Sequence, residues 1–349
     1  MAGHMPEPEP RSRESSGKGL KIGNLELSSP VILAPMAGIS DLPFRNLNRR
    51  FGCELAFTEM ISARALVYRN VNTLRMLSSA PPDSPLGVQL LGNDSTVMIR
   101  ALDILRSYRC DVIDVNAACP ASKVIKRGEG AVLLRDPRNL FRLLKAVVEK
   151  AHLPVTLKIR LGWDETSVNA REVALYAQDA GIAAVFVHGR TKEQGYSGKV
   201  DYDEIRKVRE ALSIPVIASG DAFSAALIRK ILYETGCDGV AIARGALGNP
   251  WIFRETIQYL KEGIITGQHE IDELMQTMIL HLDLAIEAEG EWSGTTKFRK
   301  FFAWYVRGLH DTRTVRAKAF RAETRRQMAD FISELRTSHF KTRLPGRPG

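Results

Sequence analysis

Cysteine is scarce in this sequence, and long apolar runs are missing. The four cysteines among 349 residues are widely scattered, without the CxxC spacing of a zinc site or the density of a disulfide framework, which favours a reduced, cytoplasmic protein without a bound metal. No run of about 18 apolar residues occurs, and the polar start does not resemble a signal peptide, so no membrane association is expected. With 44% hydrophobic and 26% charged residues, the chain is predicted to be globular.

Positive charge is concentrated at one end of the chain. From Thr295 onward there are 14 basic and four acidic residues, so this segment alone accounts for the net charge of +9. Such a block suggests a polyanionic partner, most plausibly nucleic acid, although a solvated helix face followed by a basic tail would give the same composition. The oligomeric state cannot be read from the sequence, with a monomer favoured.

Short β-branched runs alternate with longer amphipathic stretches between Val31 and Arg244. This alternation is typical of repeated βα units around a parallel sheet. The eight runs are VILAPM (31–36), LAFTEM (55–60), LGVQLL (86–91), DVIDVN (111–116), VTLKIR (155–160), AVFVHG (184–189), PVIASG (215–220) and GVAIAR (239–244). Eight consecutive units predict an α/β fold, a (β/α)₈ TIM barrel. A doubly wound sheet is the alternative, but its GxGxxG fingerprint is absent after the first run.

Other segments complete the predicted organisation. LKIGNLELSS, before the first run, is predicted to be a hairpin across Gly23 and Asn24 that plugs the barrel bottom. After Trp251 the spacing is helical, including residues 273–290, 296–309 and 319–336, which predicts a small all-helical C-terminal domain. The predicted division is a disordered tail (1–18), the barrel (19–255), the helical domain (256–336) and a basic disordered tail (337–349).

Functional residues of a (β/α)₈ barrel lie where its strands end, and unusual residues cluster at those positions here. Gly-containing turns after the last two runs, at Gly220 and Gly245, suit a phosphate-bearing cofactor. Lys158 in the fifth run is predicted to point inward, where it must face a partner or an electron-rich ligand. His188 could serve the same ligand or be a structural histidine.

Cys119 follows the fourth run, and its own setting barely distinguishes a catalytic from a structural cysteine. A thiol of ordinary pKa is protonated at neutral pH and can act as a general acid, but nearby cations favour the thiolate. Cys53, Cys110 and Cys237 precede strands at the opposite barrel end and are predicted to be packing residues.

The motifs, taken together, resemble those of the bacterial tRNA-dihydrouridine synthases, most closely the B subgroup. The matching stretches are LAPMAGISDLPFR, TEMISARAL, GVQLLG, DVNAACPASKVIKRGEGAVLL, LKIRLGW, VHGRTKEQGYSG, SGD, GVAIARGALGNPWIF and RKFFAWY, in order from about residue 20 to 310. The resemblance implies FMN bound at the barrel mouth and reduced by NADPH, and uridine in tRNA as the substrate. Hydride would pass from flavin N5 to uracil C6 while a cysteine protonates C5.

The resemblance also assigns roles by motif position. Cys119 would be the catalytic acid. The implied cofactor contacts are Pro35, Met36, Ala37, Gln89, Lys158, His188, Ser219, Gly220, Asp221, Arg244 and Gly245. The implied uracil contacts are Asn116 and Arg190, and the RNA contacts expected from the basic helical domain are Lys297, Arg299, Lys300 and Arg307. The aromatic residues interleaved with those cations are expected to be core rather than base-stacking residues.

Three departures from the family pattern leave the substrate open. Ala117 and Ala118 replace the usual Met-Gly or Cys-Gly before the cysteine, Ser219 replaces Asn, and Phe301 replaces a His. One alternative is a flavin barrel acting on a free pyrimidine. The other is a catalytically impaired RNA-binding flavoprotein.

Overall fold

The computed structural model describes residues 19–264 and 269–337. Its strands are β1 (Leu20–Ile22), β2 (Leu25–Leu27), β3 (Val31–Leu33), β4 (Leu55–Phe57), β5 (Ile61–Ser62), β6 (Leu86–Leu91), β7 (Val112–Ala117), β8 (Val155–Arg160), β9 (Ala184–His188), β10 (Val216–Ser219) and β11 (Gly239–Ile242). Its helices are α1 (Leu42–Arg50), α2 (Ala63–Val67), α3 (Val71–Met76), α4 (Ser95–Leu105), α5 (Ser122–Ile125), α6 (Pro137–Lys150), α7 (Ala170–Asp179), α8 (Tyr202–Ala211), α9 (Ala225–Thr235), α10 (Ile252–Glu262), α11 (Ile271–Glu289), α12 (Glu291–Tyr305), α13 (Arg313–Ala319) and α14 (Arg325–Thr337).

Eight parallel strands close into a barrel, which confirms the predicted (β/α)₈ fold. The strands pair in the order β3, β4, β6, β7, β8, β9, β10 and β11, and β11 pairs back to β3. Their side chains are buried on both faces because helices cover the outside and the interior is packed. The predicted runs 86–91 and 155–160 coincide with β6 and β8. The two-residue strand β5, which pairs with the C-terminal end of β6, was not predicted.

The predicted hairpin closes the N-terminal end of the barrel. β1 and β2 pair antiparallel across Gly23, whose φ of 60° gives the tight turn, and Asn24. Leu20 and Ile22 are buried in one cluster with interior residues such as Phe57 and Phe186, whose rings meet edge to face at 5.5 Å.

Helix starts follow the expected capping chemistry. In seven helices an Asp, Asn or Ser side chain accepts a hydrogen bond from a backbone N–H of the first turn, which satisfies a group that the helix itself leaves unpaired. These caps are Asp41, Ser62, Asn70, Asp94, Asp136, Asp201 and Ser224.

A buried ion-pair network ties α1 to the chain before β6. Asp83 is fully buried, and its two carboxylate oxygens accept from Arg45 at 2.7 Å and from Arg49 at 2.8 Å. The remaining guanidinium donors reach backbone carbonyls, among them those of Ser40 and Glu54. The network therefore has well-paired charges deep in the protein.

Four helices, α11 to α14, form the region after the barrel, as the helical spacing predicts. The stretch 319–336 is not one helix, however. α13 ends at Ala319 and α14 begins at Arg325. Between the two helices, the Arg299 guanidinium donates two hydrogen bonds, of 2.9 and 2.7 Å, to the Ala322 carbonyl. The predicted boundary at 255 and 256 falls inside α10. The predicted tail 1–18 lies outside the described residues, and so does the predicted tail 337–349 except for Thr337, which ends α14. The division into two domains stays a prediction.

Four aromatic residues of α12 are core residues, as expected, whereas Trp304, which was also expected in the core, is only partly buried and Trp292 is exposed. Phe298, Phe301, Phe302 and Tyr305 are each at most 3% exposed. Phe301 stacks on Phe44 of α1 with ring centroids 5.5 Å apart, so the region is joined to the barrel by apolar packing. No described helix is long and apolar enough to cross a membrane.

Candidate active site

A cavity of about 440 Å³ opens where the barrel strands end. Every residue that the sequence associates with the cofactor lines it, as do Asn116 and Cys119. The cofactor set is Pro35, Met36, Ala37, Gln89, Lys158, His188, Ser219, Gly220, Asp221, Arg244 and Gly245. The barrel topology thus brings residues from the C-terminal ends of seven strands, β3 and β6 to β11, into one place.

Lys158 presents an unpaired cation to this cavity. It lies on β8 beside Asn116 of β7, and its Nζ is buried without a hydrogen-bond partner among the described residues. Burial lowers the pKa of Lys158 to about 8, and the negative charge of Asp114 opposes that shift. An ammonium held like this is costly unless a ligand supplies electron density, so Lys158 is placed to bind an electron-rich group.

A chain of hydrogen bonds leads from Asp114 to Cys119. Gln89 donates its amide to the Asp114 carboxylate at 2.6 Å, and the Gln89 oxygen accepts from the Asn116 amide at 2.8 Å. The Asn116 oxygen then accepts from the backbone N–H groups of Ala118 and Cys119, at 3.0 and 2.9 Å. Because a carboxylate only accepts, Asp114 fixes the orientation of both amides and thereby the loop that carries Cys119. Burial raises the pKa of Asp114 to about 6, which leaves it mainly ionised at neutral pH.

The Cys119 thiol is held in its protonated form. It is 9% exposed and packs in an apolar cluster with Met60, Leu91 and Val124. Burial raises its pKa, and this outweighs the opposing effect of nearby arginines. The cysteine therefore has a proton to give at neutral pH, which suits a general acid better than a nucleophile.

Cys53, Cys110 and Cys237 lie just before β4, β7 and β11, at the other end of the barrel. Burial raises the pKa of each to about 12, as expected for inert packing residues.

Arg160, two residues after Lys158 and on the same face of β8, was missed by sequence reasoning. Its guanidinium lines the cavity and donates to the carbonyls of Ala118 at 2.8 Å and Thr191 at 2.9 Å. It thus gives the Cys119 loop a second anchor besides Asn116. Among the described residues, the non-glycine positions with positive φ are Arg69, Asp221 and Asp311, so the backbone at Ala118 does not need glycine.

Arg190, the residue expected to contact uracil, is engaged elsewhere. It does not line the cavity, is 2% exposed, and forms a two-pronged ion pair with Asp221 at 2.6 and 3.0 Å. Its remaining donors reach the carbonyls of Ser197 and Gly198. Arg190 therefore fixes Asp221, which Arg244 also approaches at 3.3 Å.

The two glycine turns form a tight cradle beside these charges. A Cβ at Gly245 would lie 1.9 Å from the Ala222 carbonyl oxygen, and Gly220 has a φ of 123°. Only glycine allows the turns after β10 and β11 to approach this closely. With Arg190 and Arg244 against Asp221, the cradle carries net positive charge, which suits a phosphate site.

His188 and Tyr196 line the same part of the cavity. Burial and neighbouring cations hold the pKa of His188 well below its usual range, so the imidazole is neutral. Tyr196 is 62% exposed, and the guanidinium groups of Arg160 and Arg244 lie over its ring at 5.6 and 5.1 Å. Tyr196 thus offers an aromatic face at the cavity mouth.

The cations of the C-terminal region expected to contact RNA have mixed surroundings. Lys297 is paired with Glu289 at 2.6 Å, and Arg299 is bound to the Ala322 carbonyl. Lys300 donates to the carbonyl of Gly38 in the loop after β3, so it links α12 to the cavity wall. Arg307 is exposed.

Several cavity residues were not identified as site residues from the sequence, and five of them have large side chains. They are Met60, Arg160, Tyr196, Phe223 and Trp304. Strand alternation would have found Arg160, since it is two positions from Lys158. Trp304 comes from α12, and no local pattern places a distant helix over the barrel mouth.

A closed barrel with ionisable groups gathered at its C-terminal strand ends is the arrangement of a (β/α)₈-barrel enzyme. The fold is similar to that of histamine dehydrogenase from Rhizobium sp. 4-9, with a TM-score of 0.54, 13% identity, and coverage of 78% of this chain and 51% of that one. The chain thus spans about half of that dehydrogenase, and the likeness concerns the fold alone.

Sequence comparison is more specific. A model of the dihydrouridine synthase (Dus) family matches residues 32–342. A probable tRNA-dihydrouridine synthase of Rickettsia conorii is 36% identical over 93% of this chain and 98% of its own length. tRNA-dihydrouridine synthase B of Vibrio vulnificus is 38% identical over 82% of this chain and 89% of its own. The chain belongs to the dihydrouridine synthase family, which confirms the resemblance seen in its motifs.

Proposed function

We propose that this protein reduces uridine in tRNA to 5,6-dihydrouridine, with FMN as cofactor and NADPH as electron donor. The observation that carries the proposal is the pairing of an unpartnered buried ammonium, Lys158, with a protonated thiol, Cys119, in one cavity. The first suits a ring that gains negative charge, and the second suits proton delivery to a carbon next to it.

The residues present fit FMN. Lys158 would stabilise negative charge on the reduced isoalloxazine, and Gln89 keeps one amide proton to donate after binding Asp114. The neutral His188 can donate or accept without adding charge. The turns at Ser219–Asp221 and Arg244–Gly245, together with Pro35–Ala37, would hold the phosphate and the ring edge.

FMN held by these residues would supply, from its N5, the hydride for uracil C6. Cys119 provides the matching proton to C5 from Sγ, so that the C5=C6 bond becomes single, and solvent then reprotonates the sulfur. The Asn116 amide nitrogen donates to the Gln89 oxygen at 2.8 Å and to the Met60 sulfur at 3.1 Å, and it would exchange the weak sulfur contact for the uracil edge. Arg160 lines the same cavity, and Tyr196 offers its ring at the cavity mouth. Arg190 would act through Asp221 in this site rather than on the base.

The substrate base must leave its stack to reach the cavity, which costs a few kcal/mol. Contacts to the rest of the RNA must offset that cost. The basic excess after Thr295 provides them, with Arg307 exposed and Lys297 at the surface. Two further cations, Arg299 and Lys300, support the RNA-binding face by fixing the position of α12 through their bonds to backbone carbonyls.

The test is a reconstituted reaction. The purified protein should bind FMN, show flavin absorption that NADPH bleaches, and form dihydrouridine in an unmodified tRNA transcript. Reduction of free uracil or uridine at a comparable rate would instead favour a small-molecule enzyme. Failure to bind FMN would contradict the proposal as a whole.

Replacing Lys158 with methionine should lower the midpoint potential of the bound flavin. The loss of a buried positive charge destabilises the anionic reduced form, and a tenfold loss corresponds to about 30 mV for two electrons. The flavin-free variant should unfold at the same or a higher temperature, because an unpaired buried ammonium no longer has to be accommodated. Spectroelectrochemistry and thermal unfolding give the two readouts, and a stability loss with an unchanged potential would make Lys158 structural.

A further inference from the structure

The chain from Met60 to Pro82 contains three arginines and no acidic residue. Arg64, Arg69 and Arg75 are all exposed, and none has a carboxylate partner within the described part of the chain. Exposed arginines on other barrel helices do find such partners, for example Arg106 with Asp103 and Arg206 with Asp203. The segment thus carries three positive charges whose side chains are available.

Two bulky side chains are exposed between these arginines. Tyr68 is 80% exposed and Val71 is 63% exposed, among the most exposed large hydrophobic side chains of the described residues. They flank the turn from α2 to α3, where Arg69 has a φ of 53° and the Asn70 side chain caps α3 through Thr73 N–H at 3.1 Å. The turn between Tyr68 and Val71 is therefore fixed by specific local bonds.

The segment starts at the cavity. Met60 lines the cavity and packs in the cluster that contains Cys119, and α2 begins three residues later. Four residues of chain span at most about 15 Å, so the Arg64 Cα lies within that distance of the Met60 Cα. α3 in turn packs back against β5, the strand that follows Met60. The exposed residues therefore stand on the same end of the barrel as the cavity mouth.

We propose that the surface formed by Arg64, Tyr68, Arg69, Val71 and Arg75, here termed the α2–α3 surface, binds the substrate RNA beside the reacting nucleotide. This inference rests on the proposed function for the identity of the RNA. The arginines contact backbone phosphates, which they can do without giving up an existing ion pair. Tyr68 stacks on a base left exposed when its neighbour moves into the cavity.

This surface is separate from the basic region after Thr295. It lies on the barrel, on the side of strands β4 and β6, and depends on none of the α12 cations. RNA held by both surfaces would be fixed at two points around the cavity mouth, which would orient the target nucleotide above Cys119 rather than merely attract the polyanion.

The experiment compares two triple variants of the full-length, flavin-loaded protein. Arg64→Gln, Arg69→Gln and Arg75→Gln form the test set. Arg106→Gln, Arg142→Gln and Arg206→Gln form the control, with the same charge change at exposed sites just after α4 and on α6 and α8. Binding of an unmodified tRNA transcript is measured by fluorescence anisotropy across monovalent salt concentrations.

In a plot of log association constant against log salt concentration, the slope of the test variant should be shallower by about 2, because three phosphate contacts are lost at roughly 0.7 each. This corresponds to about 100-fold weaker binding at 0.1 M salt. The KM of this variant for tRNA should rise, with kcat and the rate of flavin reduction nearly unchanged. The control should keep the wild-type slope. Tyr68→Ala should weaken binding about tenfold without changing the slope, because stacking releases no counterions.

Wild-type affinity and slope in the test variant would overturn the α2–α3 proposal, and so would an equal loss in the control. These outcomes are distinct from failure of the proposed reaction. Wild-type protein that binds the transcript through Arg64, Arg69 and Arg75 yet forms no dihydrouridine would refute the reaction and leave the RNA surface standing.

Discussion

Replacing Cys119 with alanine should lower the rate of dihydrouridine formation by about 10²- to 10⁴-fold, the contribution of a positioned general acid. The thiol is the proposed proton donor, it lines the cavity, and burial raises its pKa. Flavin content, reduction by NADPH and tRNA affinity should stay at wild-type values because Cys119 is assigned to none of them. Single-turnover assays with pre-reduced enzyme isolate the affected step.

The pH profile supplies an independent check. A raised thiol pKa means that activity should persist through the ordinary thiol range and fall only as the pH rises through the higher value in the folded protein. Cys119→Ser places a much weaker acid at the same position and should flatten that alkaline limb. Full turnover in Cys119→Ala, with an unchanged profile, would remove the thiol from the mechanism.

Replacing Asp83 with alanine should cost about 3–5 kcal/mol of folding stability. The carboxylate is fully buried between Arg45 and Arg49, and its removal leaves two guanidinium groups without a counter-charge in the interior. Urea denaturation followed by tryptophan fluorescence measures the loss.

The matched control is Asp103→Ala. Asp103 also faces an arginine, Arg106 at 3.7 Å, but its side chain is 68% exposed. Solvent screens such pairs, so the change should stay within about 0.5 kcal/mol. Equal losses in the two variants would show that burial is not what makes the Asp83 network stabilising.

The barrel could be predicted from the sequence because its strands are buried on both faces. Such strands, β6 and β8 among them, appear as continuous apolar runs, and eight of them in series leave few topologies. Strand β5 was not predicted because two residues are too few to show the alternation of a strand. The break between α13 and α14 was not predicted because it involves a distant residue: Arg299, on α12, donates a hydrogen bond to the carbonyl of Ala322.

The site was predictable as a set of positions more than as a set of contacts. Strand ends meet at one end of a barrel, so Gln89, Lys158 and His188 had to lie together. That Arg190 faces away from the cavity was not predictable, because Arg190 also follows a strand and its orientation depends on the ion pair with Asp221. The position of Phe301 proved to be a core position, so its departure from the family pattern alters packing rather than a surface.

The contact between α12 and the barrel bears on how this chain can be divided. Trp304 forms part of the cavity wall, Lys300 holds the loop at Gly38, and a Cβ at Gly248 would lie 2.5 Å from the Trp304 backbone. A fragment that stops after α10 would therefore lose a wall of its own catalytic chamber. Exchanging the C-terminal helices between relatives would have to carry the barrel loops with them, so the two regions are expected to have diversified as one unit rather than as interchangeable modules.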